Sequence, residues 1–196
     1  MRTKPDQAAG RDAGRRAALP PVSRALTCAC PFGSLKIVFD KGKIISVDLL
    51  GGAAMARASR GLDWTKLPDT GDSPRSGLPF PLNGILRKLK SYVLDKKHPG
   101  VPDGRFSFSG LTAFTRNVIL GTRRVPMGRT VTYTEFARML GLSPDARRAV
   151  GRALGRNPFP LFFPCHRIVG AKDAGGFSSG PDWKRRLLEH EGARAA

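Results

Sequence analysis

The sequence predicts an α+β protein: a small N-terminal α/β unit over residues 23–108, then a helical C-terminal unit over residues 109–196 that contains a helix-turn-helix. Three observations lead there. Two β-rich runs flank a turn tripeptide near residue 40, apolar residues recur at helical spacing over residues 82–94, and beyond residue 111 capping residues open one helical run after another. A chain of 196 residues is long enough for both units to bury a core.

Taken in order, residues 1–22 are rich in Arg, Ala, Gly and Pro without periodicity, the composition of a disordered basic tail. Leu35, Ile37, Val38 and Phe39, then Ile44, Ile45, Val47 and Leu49, make two strands, and Asp40-Lys41-Gly42 has the turn chemistry of a hairpin. Residues 51–79 mix Gly, Ala, Ser, Pro and charge as a linker does, with a short helix expected near 53–60. Leu82, Ile85, Leu86, Leu89 and Val93 form one face of a helix whose other face carries Arg87, Lys88 and Lys90. Phe106 and Phe108 suggest a short strand closing the unit.

In the second half Thr112 caps a helix running to about Arg124, with Phe114, Val118 and Leu120 expected inward. Thr132-Tyr133-Thr134-Glu135 fits a capping box, a hydroxyl followed three residues later by a carboxylate. The helix it opens carries Phe136, Ala137, Met139 and Leu140 and ends at Gly141. Ser143-Pro144 starts the next, which runs to about Gly155. Two short helices joined by a tight turn, the second rich in arginine, read as a helix-turn-helix. A last helix spans about 183–191 and stops at Gly192.

Charge narrows the function. The net charge is +19, and residues 105–196 carry 16 basic against 6 acidic side chains, or +10. Such a surface attracts polyanions, nucleic acid first. No apolar run reaches the length of a membrane span, and the N-terminus lacks the apolar core of a secretory signal, so an intracellular protein is expected, in the cytoplasm of a prokaryote or the nucleus of a eukaryote. Three cysteines without a signal argue against a disulfide framework. Cys28 and Cys30 offer half of a zinc site, with only His98 spare among the histidines, so no metal is expected.

The chemistry concentrates at Pro164-Cys165-His166-Arg167-Ile168. A thiol must ionise before it attacks, and cationic neighbours lower its pKa. His166 is a base next to Cys165 in sequence, and Glu191 is either the carboxylate that orients it or a surface carboxylate at a helix end. Asn157 precedes the cysteine by eight residues and can brace the turn. In the basic helix, Arg147, Arg148 and Arg152 alternate with the small residues Ala146, Ala149 and Gly151, a pattern that lets a backbone approach a groove while arginines hold phosphates. The run from Gly175 through Phe177, Ser178 and Ser179 to Gly180 reads as a lid over a small pocket.

These residues resemble the O6-alkylguanine-DNA alkyltransferases, the methylated-DNA–protein-cysteine methyltransferases. The resemblance rests on the segment 164–169, on Asn157-Pro158, Ala149-Val150-Gly151, Val131-Thr132-Tyr133, Gly176-Phe177-Ser178 and the segment 187–192. It covers about 111–192 closely and 26–108 loosely. It implies an RNase H-like N-terminal unit and a monomer that binds double-stranded DNA containing O6-alkylguanine, flips the damaged base and takes the alkyl group onto Cys165 once, with no cofactor. It implies Arg148 as the finger that fills the stack, and Thr132 and Tyr133 as further DNA-facing positions, Tyr133 also assisting the leaving guanine. His166 and Glu191 would activate Cys165 through water, and Asn157 would support the turn. The base would be recognised by the carbonyls of Cys165 and Val169 and the amide of Ser179, beside Phe177 and Ser178.

The chain departs from relatives at several places, and Cys28 and Cys30 do not reproduce the zinc ligands that some of them have. Phe177 stands where some have tyrosine, Arg147 where a small residue is frequent, Ser179 where glycine is common and Met127 where an aromatic is common. Three other readings stay open: a non-catalytic alkylated-base binder, a helix-turn-helix regulator and a cysteine hydrolase. The last needs an oxyanion hole that nothing in the sequence announces.

Overall fold

The structure, a computed structural model, describes residues 24–30, 33–51 and 82–193. The expected tail at 1–22 and helix at 53–60 lie outside these. Three antiparallel strands, β1 (Arg24–Cys30), β2 (Gly33–Asp40) and β3 (Lys43–Leu50), form a sheet of order β1-β2-β3. Lys41 and Gly42 turn the β2–β3 hairpin at φ 45° and 75°, the two positive values a tight two-residue hairpin needs. Strand β1 is an addition to the expected elements. Its Cys28 is fully buried in the core, and burial pushes the thiol up to about 12.

Helix α1 (Leu82–Asp95) lays Ile85, Leu86, Leu89, Tyr92 and Val93 against the sheet, the expected periodicity with Tyr92 added. The strand expected at 106–108 is a single bridge between Phe106 and Ile44, preceded by a 3₁₀ turn at Asp103–Arg105. Its rings decide the outcome. Phe106 packs at 4.9–5.2 Å from Phe159, Phe162 and Phe163, so the segment serves aromatic packing and not a ladder.

The second half is helical. Helix α2 (Ala113–Gly121) is capped by the Thr112 hydroxyl, which accepts from Thr115 N at 3.2 Å, and it tightens into a 3₁₀ turn at Thr122–Arg124. Thr115, Val118, Ile119 and Thr122 occupy its buried face. Phe114, expected inward, is 41% exposed because it falls off that 3.6-residue stripe. β4 (Val131–Thr132) pairs in parallel with β5 (Ile168–Val169) and leads into α3 (Tyr133–Met139). The capping box forms as expected: Thr132 Oγ1 accepts from Glu135 N, and the Glu135 carboxylate accepts from Thr132 N at 2.7 Å. The helix expected from 143 to 155 is in two parts, a 3₁₀ turn at Pro144–Ala146 and α4 (Arg147–Gly155). Helix α5 (Pro181–His190) ends the fold.

The two halves share one core. Phe159, Leu161, Phe162, Phe163, Trp183 and Leu187 join the sheet and α1 in a single apolar cluster. Main-chain bonds reinforce it: Val47 N donates to Pro158 O at 2.7 Å, and Ser107 N to Ile44 O at 2.8 Å. Gly33 has no side chain because the Trp183 indole lies where a Cβ would stand, 2.3 Å away. Arg123 ties the same seam, donating to Phe162 O and Val101 O, pairing with Asp103 and lying 4.0 Å from the Phe163 ring centre.

Candidate active site

The segment from α4 to the cysteine is a braced turn. Asn157 Oδ1 accepts from Phe159 N at 3.0 Å, and its Nδ2 donates to Phe163 O at 2.8 Å and to Cys165 Sγ at 3.1 Å. Leu161, wholly buried, sits at φ 77°. That conformation disfavours a branched side chain, and the packed core holds it there. One asparagine thus shapes the turn and solvates the sulfur.

Cys165 opens a 3₁₀ turn that continues through His166 and Arg167, all three buried. Burial pushes the thiol up, while the Asn157 hydrogen bond and then the Lys184 charge pull it back toward ionisation. His166 Nε2 lies 2.9 Å from Glu191 Oε1. Glu191 also accepts from Tyr92 Oη at 2.8 Å and from Arg167 Nε and Nη2 at 2.7 and 2.9 Å. Burial alone would raise the Glu191 carboxyl, but the bonds from His166 and Arg167 outweigh it and hold it well below the usual carboxylate range.

This fixes a tautomer. An ionised carboxylate only accepts, so Nε2 of His166 carries the proton, and Nδ1, buried and without a hydrogen-bond partner among the described residues, keeps its lone pair as a base. Burial lowers the His166 pKa, against the pull of Glu191, so the ring rests neutral.

Next to the cysteine is a cavity of about 210 Å³ lined by Tyr133, Gly151, Leu154, Gly155, Cys165, Gly176, Phe177 and Ser178. Tyr133 begins α3 and its hydroxyl reaches Gly176 O at 3.4 Å. Burial, then the charges of Cys165 and Asp173, raise its pKa, so the phenol keeps its proton. Gly175 lies at φ 69°, and a Cβ there would stand 3.0 Å from the Tyr133 ring, so only glycine lets the loop pass. A larger groove of about 450 Å³ lies against α2 and Leu140, but it contains no nucleophile or carboxylate.

The cavity mouth borders α4. Gly151 and Gly155 line it, and Arg148 and Arg152 share that side of the helix at i, i+3 and i+4 spacing. Both arginines are exposed; Arg147 pairs loosely with Asp145 at 3.6 Å, and Ala146 and Ala149 are half-buried. Thr132 spends its hydroxyl on the α3 cap. The fold therefore gathers Cys165, His166, Glu191, Asn157, Tyr133, Phe177 and Ser178. Val169 packs its side chain with Leu188 and Ala193, away from the cavity, and neither it nor Ser179 lines that cavity.

Three residues escaped the sequence reading. Arg167, expected only as a nearby cation, clamps Glu191 and also donates to Val125 O at 2.8 Å. Tyr92 arrives from α1. Lys184, fully buried on α5, donates from Nζ to Ile168 O at 2.6 Å and lies 5.9 Å from the Tyr133 ring centre. Burial pushes its pKa down to about 8. A lysine on the apolar stripe with Trp183, Leu187 and Leu188 was the available signal, since buried lysines are rare unless paired.

Comparisons with known proteins point to one family. The family model described as 6-O-methylguanine DNA methyltransferase, DNA binding domain, matches residues 113–193. A methylated-DNA–protein-cysteine methyltransferase of Metallosphaera sedula is 32% identical over 173 residues, 85% of this chain and 92% of that one. One of Thermococcus sibiricus is 42% identical over 89 residues, 45% of this chain and 49% of that one, so the chain spans about half the length of that relative. The crystal structure of the O6-methylguanine methyltransferase of Mycobacterium tuberculosis superposes with a TM-score of 0.63 at 27% identity, covering 89% of this chain and 95% of that one. A structure of the Mycobacterium tuberculosis protein in complex with DNA superposes equally well at 28% identity, covering 87% of this chain and 94% of that one.

Proposed function

Since the chain belongs to the methylated-DNA–protein-cysteine methyltransferase family, we propose that it repairs O6-alkylguanine in double-stranded DNA by moving the alkyl group irreversibly onto Cys165. The observation that carries this reading is the Asn157–Cys165 contact beside the His166–Glu191–Arg167 cluster at the floor of a base-sized cavity.

The protein's groups take these parts. The Cys165 proton passes through a water to His166 Nδ1, and Glu191 stabilises the imidazolium across Nε2. The thiolate attacks the alkyl carbon on O6: the S–C bond forms, the C–O6 bond breaks, and the electron pair goes to guanine. The departing base takes up a proton delivered through the Tyr133 hydroxyl, and the His166 proton restores the balance. In net terms the thiol proton replaces the alkyl group on guanine, and a thioether remains. No residue of the site removes it, so each molecule acts once.

On the DNA side, α3, the 3₁₀ turn and α4 act as a helix-turn-helix whose second helix enters a groove, with Arg148 filling the stack when the base leaves and Arg147 and Arg152 on phosphates. The Cys165 carbonyl, Phe177 and Ser178 hold the flipped base, while the Val169 carbonyl and the Ser179 amide, which the resemblance also implies, lie outside the lining of the cavity. Residues 23–108 form an RNase H-like unit, supported by the antiparallel meander and α1, and residues 109–196 the transferase unit; the protein works as an intracellular monomer. The test is intact-mass spectrometry after incubation with a duplex containing one O6-methylguanine. A gain of one methylene located on Cys165, absent with undamaged DNA and in Cys165→Ala, is expected. Tight lesion binding with no mass change would overturn the transferase reading in favour of a damage binder.

A further inference from the structure

The carboxylate on which the relay turns is completed from the other end of the chain. Tyr92 lies near the end of α1, 99 residues before Glu191 and outside the stretch that the family model matches. Its side chain is fully buried. Its hydroxyl donates to Glu191 Oε1 at 2.8 Å, the same oxygen that faces His166 Nε2 at 2.9 Å. The ring is held in place: His190 meets it edge-on at 5.2 Å and bonds the Tyr92 carbonyl through Nε2 at 2.8 Å. Tyr92 and His166 therefore compete for one oxygen's charge.

We propose that Tyr92 is a positioning residue of the proton relay: by donating to Glu191 it withdraws charge from the oxygen that supports His166, so the N-terminal unit sets how readily Cys165 ionises. The proposal rests on the reading of His166 as the base for Cys165. The other groups that face this centre are Arg167 on Glu191, His98 from the loop after α1, Cys30 on β1, His190 on α5 and Lys184 acting on His166. None of them shares the Tyr92 hydroxyl's contact with Oε1, apart from Arg167 Nη2.

The experiment is the pH profile of Cys165 alkylation by iodoacetamide, followed by peptide mapping so that Cys28 and Cys30 are scored apart. It needs no DNA, so it stands or falls separately from lesion repair, which the wild-type protein reports on O6-methylguanine duplex. Tyr92→Phe keeps the ring and removes the donor. Its midpoint should move to lower pH by about half a unit, because Glu191 then gives more charge to the imidazolium. Site-specific 3-fluorotyrosine at position 92 is a stronger donor and should move the midpoint upward. A downward shift in Tyr92→Phe together with an upward shift in the fluorotyrosine protein supports the proposal, and shifts of the reverse signs overturn it. Unchanged midpoints, or shifts of the same sign in both proteins, overturn it. If the phenylalanine variant fails to fold, the fluorotyrosine protein decides alone: an upward shift supports the proposal, and an unchanged or downward midpoint overturns it.

Discussion

Replacing Glu191 by glutamine tests the centre of the site most severely. Glu191 Oε1 accepts from Tyr92, His166 and Arg167 Nη2, and Oε2 accepts from Arg167 Nε at 2.7 Å. A glutamine has one acceptor oxygen. Placed at the Oε1 position it keeps three bonds, but its NH₂ then faces Arg167 Nε, donor against donor. Arg167 is 1% exposed, so its charge is left buried against neutral acceptors, the Val125 carbonyl and the glutamine oxygen, with no counter-charge. Breaking a buried ion pair in this way costs about 3–5 kcal/mol, against a total of about 5–15 kcal/mol for a domain. In thermal terms that is a fall of about 6–20 °C in Tm. The chemical step suffers separately, because the imidazolium loses its counter-charge and His166 loses the partner that fixes its tautomer; a loss of about 10²–10⁴-fold in rate is expected. Urea unfolding reads the first effect and single-turnover transfer from O6-methylguanine duplex the second. A Glu191→Gln protein within about 1 kcal/mol of wild type in stability and within about threefold in rate would refute the roles of Glu191 as buried counter-charge and as partner of His166.

Other outcomes follow from the same geometry. Lys184→Met removes the buried cation beside Cys165 and leaves the Ile168 carbonyl unpaired, so the iodoacetamide profile of Cys165 should move to higher pH and stability should drop by about 1–3 kcal/mol; an unmoved profile would show that the lysine charge does not reach the sulfur. Arg148→Ala should slow repair of a paired lesion more than of a lesion opposite a mismatch, where unstacking costs less, and equal slowing on both would remove its role in flipping. DNA affinity should fall with a log–log salt slope of about −0.9 per phosphate neutralised, measured by fluorescence anisotropy. Acid should destabilise the fold: burial, then Arg167 and Arg123, push His98 down to about 4 from 6.5. The unfolded chain therefore binds a proton between those values that the folded one refuses, so stability falls as pH drops from 6.5 to 4. His98→Gln should flatten that decline in urea titrations across the window, and an unchanged slope would assign the acid lability to other groups.

Much of the fold is legible along the chain because it depends on neighbours in sequence. The β2–β3 hairpin follows from Lys41-Gly42 between alternating apolar residues. The start of α3 follows from the Thr132–Glu135 pair, since a capping box is closed by residues three apart. Cys165, His166 and Asn157 declare themselves by residue type and spacing. The misreadings arise where packing overrules local preference. Phe114 is apolar but falls off the buried stripe of α2, and Phe106 stacks on Phe159, Phe162 and Phe163 in place of extending a strand. β1 lacks a strong alternation and needs β2 beside it to exist.

The sequence by itself determined the Cys165-His166 pair, the asparagine that shapes the turn before it and the arginine-rich helix, all encoded within windows of a dozen residues. Only the tertiary structure decided which carboxylate serves His166, because Glu191 is 25 residues away and equally at home on a surface. It also decided that Arg167 clamps that carboxylate, that Tyr92 reaches it from α1, and that Lys184 is buried where its charge acts on Cys165. The physical reason is common to all four. Burying a charge or a hydroxyl is unfavourable unless partners from distant segments meet it, and which segments meet is set by the shared core of sheet, aromatic turn and α5, not by any motif along the chain.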